Sequence, residues 1–357
     1  MTGCKNAHII FINRPGVNSE PEEDNFRYED CPTAKETLED GEVLIQTMYL
    51  SVDPALRCRM NKDTGVHYMQ AWQLGETILG LGGIGRVLKS SHPNYIASDL
   101  VEIQMNCPWK LFFLCKPDDG LIQLQKIKRA LVGDHPSLAL SCLGLTGLTA
   151  YLGIKVKGNI KPGANQTLVV SGAAGATGSL AGQIGHLEGC NSVVGLCGSD
   201  EKCKVLTEYW GFDHAINYRK ENVAQRLKET CPDGIHLYFD NVGGDISDIV
   251  IQQMSPDSHV ILCGQISVYN TDLPYPPPLS KNIQQILLER NITRDRFLVL
   301  NYQDQYESGI SKLAQWLSEG KLKVKETVAD GLKEAGRAFV SMMRGGNIGK
   351  QIIHVSD

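Results

Sequence analysis

A glycine-rich turn between a strand and a helix is the part of this sequence best suited to chemistry. Residues 168–178 read LVVSGAAGATG, an apolar strand running into small residues, and a small-residue helical pattern follows. Gly175 and Gly178 match the second and third glycines of a G-x-G-x-x-G turn, with Ala173 at the first. Such a turn lets backbone N–H groups approach a dinucleotide pyrophosphate at a helix N-terminus. The pattern predicts a dinucleotide site; the plainer alternative is an ordinary tight turn in an α/β protein.

The next strand pattern, SVVGLC at residues 192–197, indicates which dinucleotide binds. It is followed by Gly198 and Ser199 rather than by an acid that would hold an adenosine ribose, and Lys202 lies within reach of the same corner. A 2′-phosphate needs cations and hydroxyl donors, and an acid there would repel it. We therefore predict NADPH rather than NADH.

The residues that follow this strand allow other assignments. Lys202 could be a solvated charge at a helix start, with Asp200 or Glu201 binding the ribose instead. Tyr218, at the end of the following strand, could stack on the adenosine side or have no role. The residue types alone do not separate these alternatives.

Two tyrosines are candidates for the reacting end of the site. Tyr68 follows RMNKDTGVH in a polar loop, and Tyr269 follows CGQISV just beyond a strand end. Ligands lie at the carboxyl ends of strands in open α/β sheets, where a phenol can donate a hydrogen bond to a developing enolate or to the nicotinamide ribose. The sequence shows no G-x-S-x-G elbow and no Cys/His/Glu cluster at metal-ligand spacing. The dinucleotide is therefore predicted to carry the chemistry without a metal, although either tyrosine could be structural.

The elements around these residues change in character along the chain. Residues 8–130 contain short runs typical of strands, and the four glycines of residues 80–85 are predicted to form tight turns in a small barrel. From about Pro136, strand-like runs alternate with helical patterns, which predicts a parallel sheet with helices on both faces. Residues 273–279 (LPYPPPL) are predicted to be a stiff loop. The fold class is α/β, with a small β-barrel domain and a doubly wound parallel-sheet domain.

Composition excludes several other classes of protein. A chain of 357 residues favours two domains, and the net charge of −5 without a long basic run argues against a nucleic-acid partner. No apolar run approaches the ~20 residues that span a bilayer. The eleven cysteines are scattered without a C-x-x-C pair, which is typical of reduced thiols and predicts a cytoplasmic protein.

The sequence resembles the zinc-independent medium-chain dehydrogenase/reductases over nearly its whole length. The segments that carry this resemblance are YLSVDP, RCRMN-DTG, VVSGAAGA-G, AGQIGH, FDNVGG, CGQIS-YN, PYPPPLS, ERNITR-RFLVLNY and GGNIGKQI. The resemblance implies a GroES-like catalytic domain (residues 1–134), a Rossmann NADPH-binding domain (135–319) and a C-terminal return to the catalytic domain (320–357). It also implies a monomer or homodimer that uses NADPH to reduce the 13,14 double bond of 15-keto prostaglandins, which are lipid substrates.

The same resemblance implies roles for individual residues. Tyr269 would contact the nicotinamide ribose and help stabilise the enolate after hydride reaches the β-carbon of the enone, and Tyr68 would line the substrate side. Met105 and Asn106 lie in the stretch that lines the substrate pocket in the family. The positions that hold NADPH in the family are matched by Gly175, Ala176, Thr177, Gly178, Lys202, Tyr218, Asn241, Cys263, Gly264, Gln265, Ile266, Ser267, Val268, Tyr269, Phe297, Leu298, Val299 and Asn347.

The sequence also departs from the family pattern. Where the family has an aromatic pair before Pro-Trp, residues 104–109 read QMNCPW, and SVDP is followed by Ala55 where an aromatic is common. These changes bear on substrate fit rather than on cofactor binding. A general alkenal or quinone reductase, and a non-catalytic NADPH-binding protein, therefore stand as alternatives, while Tyr269 and the intact CGQIS segment favour catalysis.

Overall fold

The computed structural model describes residues 5–33, 35, 37–67 and 69–357. The chain divides into two compact units: unit 1 comprises Met1–Leu140 and Glu326–Asp357, and unit 2 comprises Ser141–Lys325. Tyr68, one of the two tyrosines predicted to be catalytic, lies outside the described residues.

The first segment of unit 1 is built mainly from strands. Apolar residues recur in them at positions that become buried, as in β3, where Val43, Ile45 and Leu50 have no exposed surface. The strands are β1 (Asn6–Phe11), β2 (Phe26–Cys31), β3 (Val43–Ser51), β4 (Leu79–Ser90), β5 (Leu100–Pro108), β6 (Phe112–Cys115) and β7 (Gln123–Lys126). Two short helices accompany them, α1 (Leu56–Arg59) and α2 (Arg129–Val132).

Unit 2 alternates strands with helices, as its sequence pattern predicts. In chain order the elements are α3 (Leu145–Lys157), β8 (Thr167–Ser171), α4 (Ala176–Glu188), β9 (Ser192–Cys197), α5 (Asp200–Glu208), β10 (His214–Asn217), α6 (Val223–Thr230), β11 (Ile235–Asp240), α7 (Gly244–Ile251), β12 (Met254–Leu262), α8 (Lys281–Glu289), β13 (Thr293–Arg296) and α9 (Tyr306–Ser318). The inner strands β8, β9 and β11 are mainly apolar and buried, as expected where helices cover both faces of a parallel sheet. Residues 273–279 form no helix or strand, which confirms the predicted loop.

The sheet of unit 2 has the strand order β10-β9-β8-β11-β12-β13, and every pairing is parallel. The chain runs outward from β8 through β9 to β10 and then returns to β11 on the other side of β8. The order therefore reverses between β8 and β11, and this reversal opens a crevice at the carboxyl ends of those strands, where doubly wound folds bind ligands.

The last segment of the chain completes the sheet of unit 1. It contains β14 (Glu326–Asp330), α10 (Ala335–Met343) and β15 (Lys350–His354). The sheet order is β14-β15-β3-β4-β5-β7, with β6 paired to β3, so β15 lies inside the sheet. The buried Lys350 ammonium pairs with Asp53 and donates to the carbonyl of Val52, which ties β15 to the segment after β3.

The glycines of residues 80–85 lie within β4, so the prediction that they form tight turns was wrong. A Cβ atom at Gly80 would lie 2.6 Å from Nε1 of Trp109, and one at Gly85 would lie 2.3 Å from Cγ2 of Ile45. Both neighbours are fully buried. The glycines therefore let large core side chains pack directly on the backbone of a strand.

No helix in the described part of the chain has the length and apolar character needed to cross a membrane. The predicted fold class, a GroES-like domain joined to a doubly wound parallel-sheet domain, is confirmed.

Candidate cofactor and active site

The glycine-rich turn follows β8 directly and leads into α4. Gly172 adopts a left-handed φ of 58°, which turns the chain, and its carbonyl accepts a hydrogen bond from the Gly175 N–H at 3.0 Å. A Cβ atom at Gly178 would lie 2.4 Å from the Gly172 carbonyl oxygen. Only glycine at position 178 allows this close approach of α4 to the turn.

The N-terminus of α4 is available to an anion. Gly175 occupies the cap position and provides no side-chain cap, so the first backbone N–H groups of the helix, including those of Ala176, Thr177 and Gly178, keep their capacity to bind a phosphate.

Asp240, the last residue of β11, is fully buried at the point where the sheet order reverses. Its carboxylate accepts five hydrogen bonds of 2.8–3.0 Å, from the hydroxyls of Ser171, Tyr238 and Ser247 and from the backbone N–H groups of Val242 and Gly243. Because these donors come from β8, β11, the loop after β11 and α7, Asp240 fixes the crevice wall.

The loop after β11 is joined to β8 through Asn241. Its backbone N–H donates to Ser171 Oγ at 3.0 Å, and its side-chain amide donates to the Ser171 carbonyl at 2.8 Å. The Asn241 carbonyl in turn accepts from the N–H of Ile266 at 3.2 Å. Asn241 therefore lies between the turn after β8 and the loop after β12.

The loop after β12 contains the predicted segment 263–269. Ser267 Oγ donates to the Val242 carbonyl at 2.6 Å. The Gln265 side chain is 2% exposed, and a Cβ atom at Gly243 would lie 2.9 Å from it. Oε1 of Gln265 has no hydrogen-bond partner among the described residues. A buried acceptor of this kind is suited to a ligand donor.

Tyr269 stands at the end of this loop. Its hydroxyl lies near the backbone of Gly264, where an added Cβ atom would be 3.4 Å from it. The ring centroids of Tyr269 and Tyr275 are 5.9 Å apart, and the Arg296 guanidinium lies 5.1 Å from the Tyr275 ring centroid. Tyr275 of the 273–279 loop therefore packs beside the Tyr269 ring, and Arg296 of β13 packs on Tyr275.

The predicted residues 297–299 follow β13 at the same edge of the sheet. The Phe297 N–H donates to the Leu262 carbonyl at 2.9 Å, and the Phe297 ring stacks on Tyr302 with centroids 5.3 Å apart. Phe297 and Val299 are buried, and Leu298 is half-buried between them. The segment extends the crevice wall formed by β12.

Tyr218 and Arg219 lie against Gly198, which follows β9, and the charge of Arg219 acts on Lys202. A Cβ atom at Gly198 would lie 2.7 Å from the Tyr218 hydroxyl and 3.3 Å from Arg219 Nε. Burial lowers the pKa of Lys202, and the charge of Arg219 lowers it further. Two cations whose charges act on each other are suited to a doubly charged phosphate.

The acids of this corner are placed differently. Asp200 accepts from the Asn217 side-chain amide at 2.6 Å and pairs with Lys220, and these partners lower its pKa. Glu201 is exposed. Ser199 Oγ accepts from the Lys202 N–H at 3.2 Å, so the serine caps α5 and fixes the backbone from which Lys202 extends.

The predicted substrate residues lie in unit 1, in a bulge of β5. Gln104 pairs with Gly82 and Cys107 with Gly80, so Met105 and Asn106 together oppose a single residue of β4. Met105 has a φ of 60° and Asn106 a φ of 52°. This left-handed conformation is common for asparagine and costly for methionine.

Asn106 is held on both sides. Its side-chain amide donates to the Leu121 carbonyl at 3.1 Å, and its side-chain oxygen accepts from Arg59 Nη2 at 3.1 Å. Burial lowers the pKa of Arg59 to about 10.

Asn347, predicted to bind the cofactor, also lies in unit 1, where its side-chain amide donates to the Gly349 carbonyl at 2.7 Å.

The thiol of Cys263 is not suited to nucleophilic catalysis. Burial raises its pKa to about 12, which keeps it protonated at neutral pH. Among the described residues, no group of three or more His, Cys, Asp or Glu side chains could hold a metal ion.

The structure thus brings together segments 175–178, 263–269 and 297–299 with Asn241 along one edge of the unit 2 sheet, and Lys202 with Tyr218 beside β9. Sequence reasoning missed Asp240 and Arg219. FDNVGG places Asp240 at the end of an apolar strand, and Arg219 directly follows Tyr218. The sequence does not show that the Asp240 carboxylate turns inward to accept from its neighbours and from the distant Ser171, or that Arg219 lies near Lys202.

Comparison with known proteins agrees with this architecture. A family model described as the N-terminal domain of oxidoreductase matches residues 8–119, and one described as zinc-binding dehydrogenase matches residues 176–314. The chain is 34% identical to the NADPH-dependent curcumin reductase of Escherichia coli (strain K12) over 357 residues, covering 99% of this chain and 97% of that one. It is 35% identical to prostaglandin reductase 1 of Bos taurus, covering 88% and 90%.

A solved structure shows the same fold. The crystal structure of CurA in complex with NADPH from Vibrio vulnificus has a TM-score of 0.85 and 32% sequence identity, and the match covers 98% of this chain and 99% of that one. The fold and the matched models define an oxidoreductase. The chain belongs to the medium-chain dehydrogenase/reductase family, as the resemblance in its sequence predicts.

Proposed function

We propose that the protein reduces the carbon–carbon double bond of enones with NADPH, and that its substrates are 15-keto prostaglandins, reduced at the 13,14 bond. Within its family, the segments given above resemble prostaglandin reductase 2, and the choice of substrate rests on that resemblance. The observation that carries the proposal is the edge of the unit 2 sheet, where Tyr269 and the buried, unpartnered Gln265 Oε1 lie on one loop.

The residues at this edge fit NADPH, which is the cofactor. The uncapped start of α4 suits the pyrophosphate, and Lys202 with Arg219 suits the 2′-phosphate, with Tyr218 beside them. Gln265 Oε1 offers an acceptor to a ligand donor. Asn241, residues 263–269 and residues 297–299 would hold the nicotinamide half, and Asn347 is proposed as a further contact.

NADPH supplies the hydride when it is bound. The protein's part is to orient the enone and to stabilise the negative charge that develops on its oxygen. We assign that stabilisation to the Tyr269 hydroxyl, because a fixed donor is worth most where charge appears in the transition state. Asp240 acts on the reaction only by fixing the loops that position Tyr269 and Gln265.

The remaining assignments rest on the family resemblance. Tyr68, Met105 and Asn106 are proposed to contact the substrate. Residues 1–134 and 320–357 are proposed to form the catalytic domain, with the Rossmann domain, residues 135–319, between them in the sequence. We propose a cytoplasmic monomer or homodimer that needs no metal. A relative named curcumin reductase is as similar as one named prostaglandin reductase, so a broader alkenal reductase is the second candidate.

One experiment tests these assignments. NADPH absorbance is followed at equal concentrations of 15-keto-prostaglandin E2, an alkyl enal and a quinone. We expect the highest kcat/KM with the prostaglandin. A higher value with the enal or the quinone would replace the proposed substrate, and no turnover with any of them, despite NADPH binding, would favour a non-catalytic role.

A further inference from the structure

Two thiols flank the corner at which Lys202 lies. Cys197 is the last residue of β9, and Cys203 lies in the first turn of α5. Their sulfur atoms are 3.3 Å apart. Cys197 is 3% exposed, whereas Cys203 is half-buried. The proposed reduction uses neither thiol.

We propose that Cys197 and Cys203 form a reversible thiol–disulfide site that is oxidised by small-molecule disulfides of the glutathione class and that weakens NADPH binding when oxidised. The second half of this statement rests on the proposed function, because it takes Lys202 as a ligand of the 2′-phosphate. The first half rests on the two sulfur positions alone.

The backbone between the two cysteines turns back on itself, and both residues donate a hydrogen bond to the same carbonyl. The Cys203 N–H donates to the Ser199 carbonyl at 3.0 Å, and the Cys197 thiol donates to the same carbonyl at 3.7 Å. A disulfide bond is about 2.05 Å long, so the sulfurs, which are 3.3 Å apart, must approach by only about 1.2 Å. Rotation of the half-exposed Cys203 side chain and a small shift of the first turn of α5 can supply this movement.

The exchange balances in two steps. The Cys203 thiolate attacks one sulfur of oxidised glutathione, and a glutathione thiolate leaves, which gives a mixed disulfide at Cys203. The Cys197 thiolate then attacks the Cys203 sulfur and releases the second glutathione. The protein loses two electrons and two protons, and oxidised glutathione becomes two glutathione thiols.

The charges around the pair determine how the exchange depends on pH. Burial raises the pKa of both thiols; Lys202 opposes this shift at Cys197, whereas Glu221 and Asp200 add to it at Cys203. Because only the thiolate reacts, the exchange should be slow near neutral pH and should accelerate as the pH rises.

Oxidation would act on the nucleotide through Lys202. This residue immediately precedes Cys203, and its N–H is held by Ser199 Oγ at 3.2 Å. Drawing Cys203 towards Cys197 shifts the first turn of α5. This shift moves the backbone of Lys202, from which the Lys202 side chain extends. NADH has no 2′-phosphate, so its binding should change little.

The disulfide itself is tested by peptide mass analysis. The reduced full-length protein is incubated with oxidised glutathione, free thiols are alkylated, and the protein is digested without reductant. We expect a peptide species linking Cys197 to Cys203 with the loss of two hydrogen atoms. Cys197→Ser should stop at a glutathione adduct on Cys203, and Cys58→Ser, which removes a half-buried thiol of unit 1, should keep the link. Adducts without the link in the wild-type protein would overturn the proposal.

The effect on the nucleotide is tested by fluorescence titration with NADPH and NADH before and after oxidation. We expect the Kd for NADPH to rise at least tenfold, to recover with dithiothreitol, and to be insensitive to oxidation in Cys203→Ser. An unchanged Kd after the link has formed would overturn the nucleotide half. Failure of the reduced protein to bind NADPH would instead overturn the proposed function, while the mass result would still decide whether the disulfide forms.

Discussion

The two proposed binding regions of the molecule are built differently. The nucleotide edge of unit 2 consists of the loops that follow β8, β9, β11 and β12, and the β5 bulge of unit 1 consists of residues 104–109. The nucleotide edge is built from backbone groups, glycines and short polar side chains joined by hydrogen bonds to Asp240 and Ser171. The bulge is built from Met105 and Asn106 in left-handed conformations and is held by the side chain of Arg59.

The difference has a physical cause. Phosphates and ribose are the same in every molecule of a cofactor, so a backbone geometry that fits them can be kept with few changes of residue type. A substrate pocket is shaped by side chains, and one extra residue in a strand redirects all of them. The five predictions below test whether the two regions are specialised in this way, and they run from the largest expected effect to the smallest.

The largest effect is expected on stability at the nucleotide edge. Asp240→Ala removes a fully buried carboxylate and leaves five donors without an acceptor. We expect a loss of roughly 3–5 kcal/mol in the free energy of unfolding, measured by denaturant titration. Asp295→Ala, which removes a half-exposed acid of β13 paired with Lys157, should cost at most ~1 kcal/mol. Equal losses in the free energy of unfolding for the two variants would show that Asp240 does not hold the loops of the nucleotide edge together.

Turnover depends most on Tyr269. Tyr269→Phe removes the hydroxyl donor and keeps the ring, so we expect kcat for the enone at saturating NADPH to fall roughly ten- to a thousandfold. Tyr275→Phe, which keeps a ring 5.9 Å from that of Tyr269, is the matched control and should retain most activity. Unchanged turnover in Tyr269→Phe would return this residue to a structural role.

Cofactor choice is expected to depend on Lys202. Lys202→Ala should raise the KM for NADPH at least tenfold, about 1.4 kcal/mol, and change the KM for NADH little. Lys204→Ala removes an exposed lysine of the same helix that pairs with Glu208 and should alter neither value. An equal effect of Lys202→Ala on both cofactors would argue against a 2′-phosphate contact.

A substitution in the β5 bulge should change kcat/KM for the substrate and leave the KM for NADPH unchanged. Met105→Phe restores an aromatic ring at the stretch where the family has an aromatic pair. We expect kcat/KM for 15-keto-prostaglandin E2 to rise roughly fivefold, ~1 kcal/mol, with the KM for NADPH unchanged. A change in the NADPH value of similar size would mean that the two regions are not separate in function.

Metal removal is expected to have no effect. Exhaustive chelation should leave the enone reductase activity intact, and elemental analysis should find zinc below stoichiometric amounts. The reason is that the dinucleotide supplies the reducing equivalents and Tyr269 the donor. A tightly bound zinc whose removal abolishes turnover would contradict this assignment.

The same contrast explains what could be predicted from the sequence. The turn at Gly175 and Gly178 was predictable because its residues are adjacent in the chain and each glycine has a local reason. The alternation of strands and helices in unit 2 was predictable for the same reason, since periodicity within one segment determines it.

The rest depends on residues that are far apart in the chain. The glycines of residues 80–85 looked like turn residues, but their place in β4 is explained by Trp109 and Ile45 on other segments. The Asp240 carboxylate joins its neighbours in the chain to Ser171 of β8, 69 residues away, and Arg219 acquires its role from its proximity to Lys202. A pattern within one segment carries none of this information.

The position of β15 has a consequence for synthesis of the protein. This strand, residues 350–354, lies between β14 and β3, so the sheet of unit 1 cannot be completed until residue 354 has left the ribosome. Unit 2 spans Ser141–Lys325 and has all its strands by then. Domains generally fold as they emerge, so unit 2 should be structured before unit 1 is complete. Residues 43–46 of β3 can already pair with β6, whereas residues 49–51 must stay unpaired on that edge until β15 has been made.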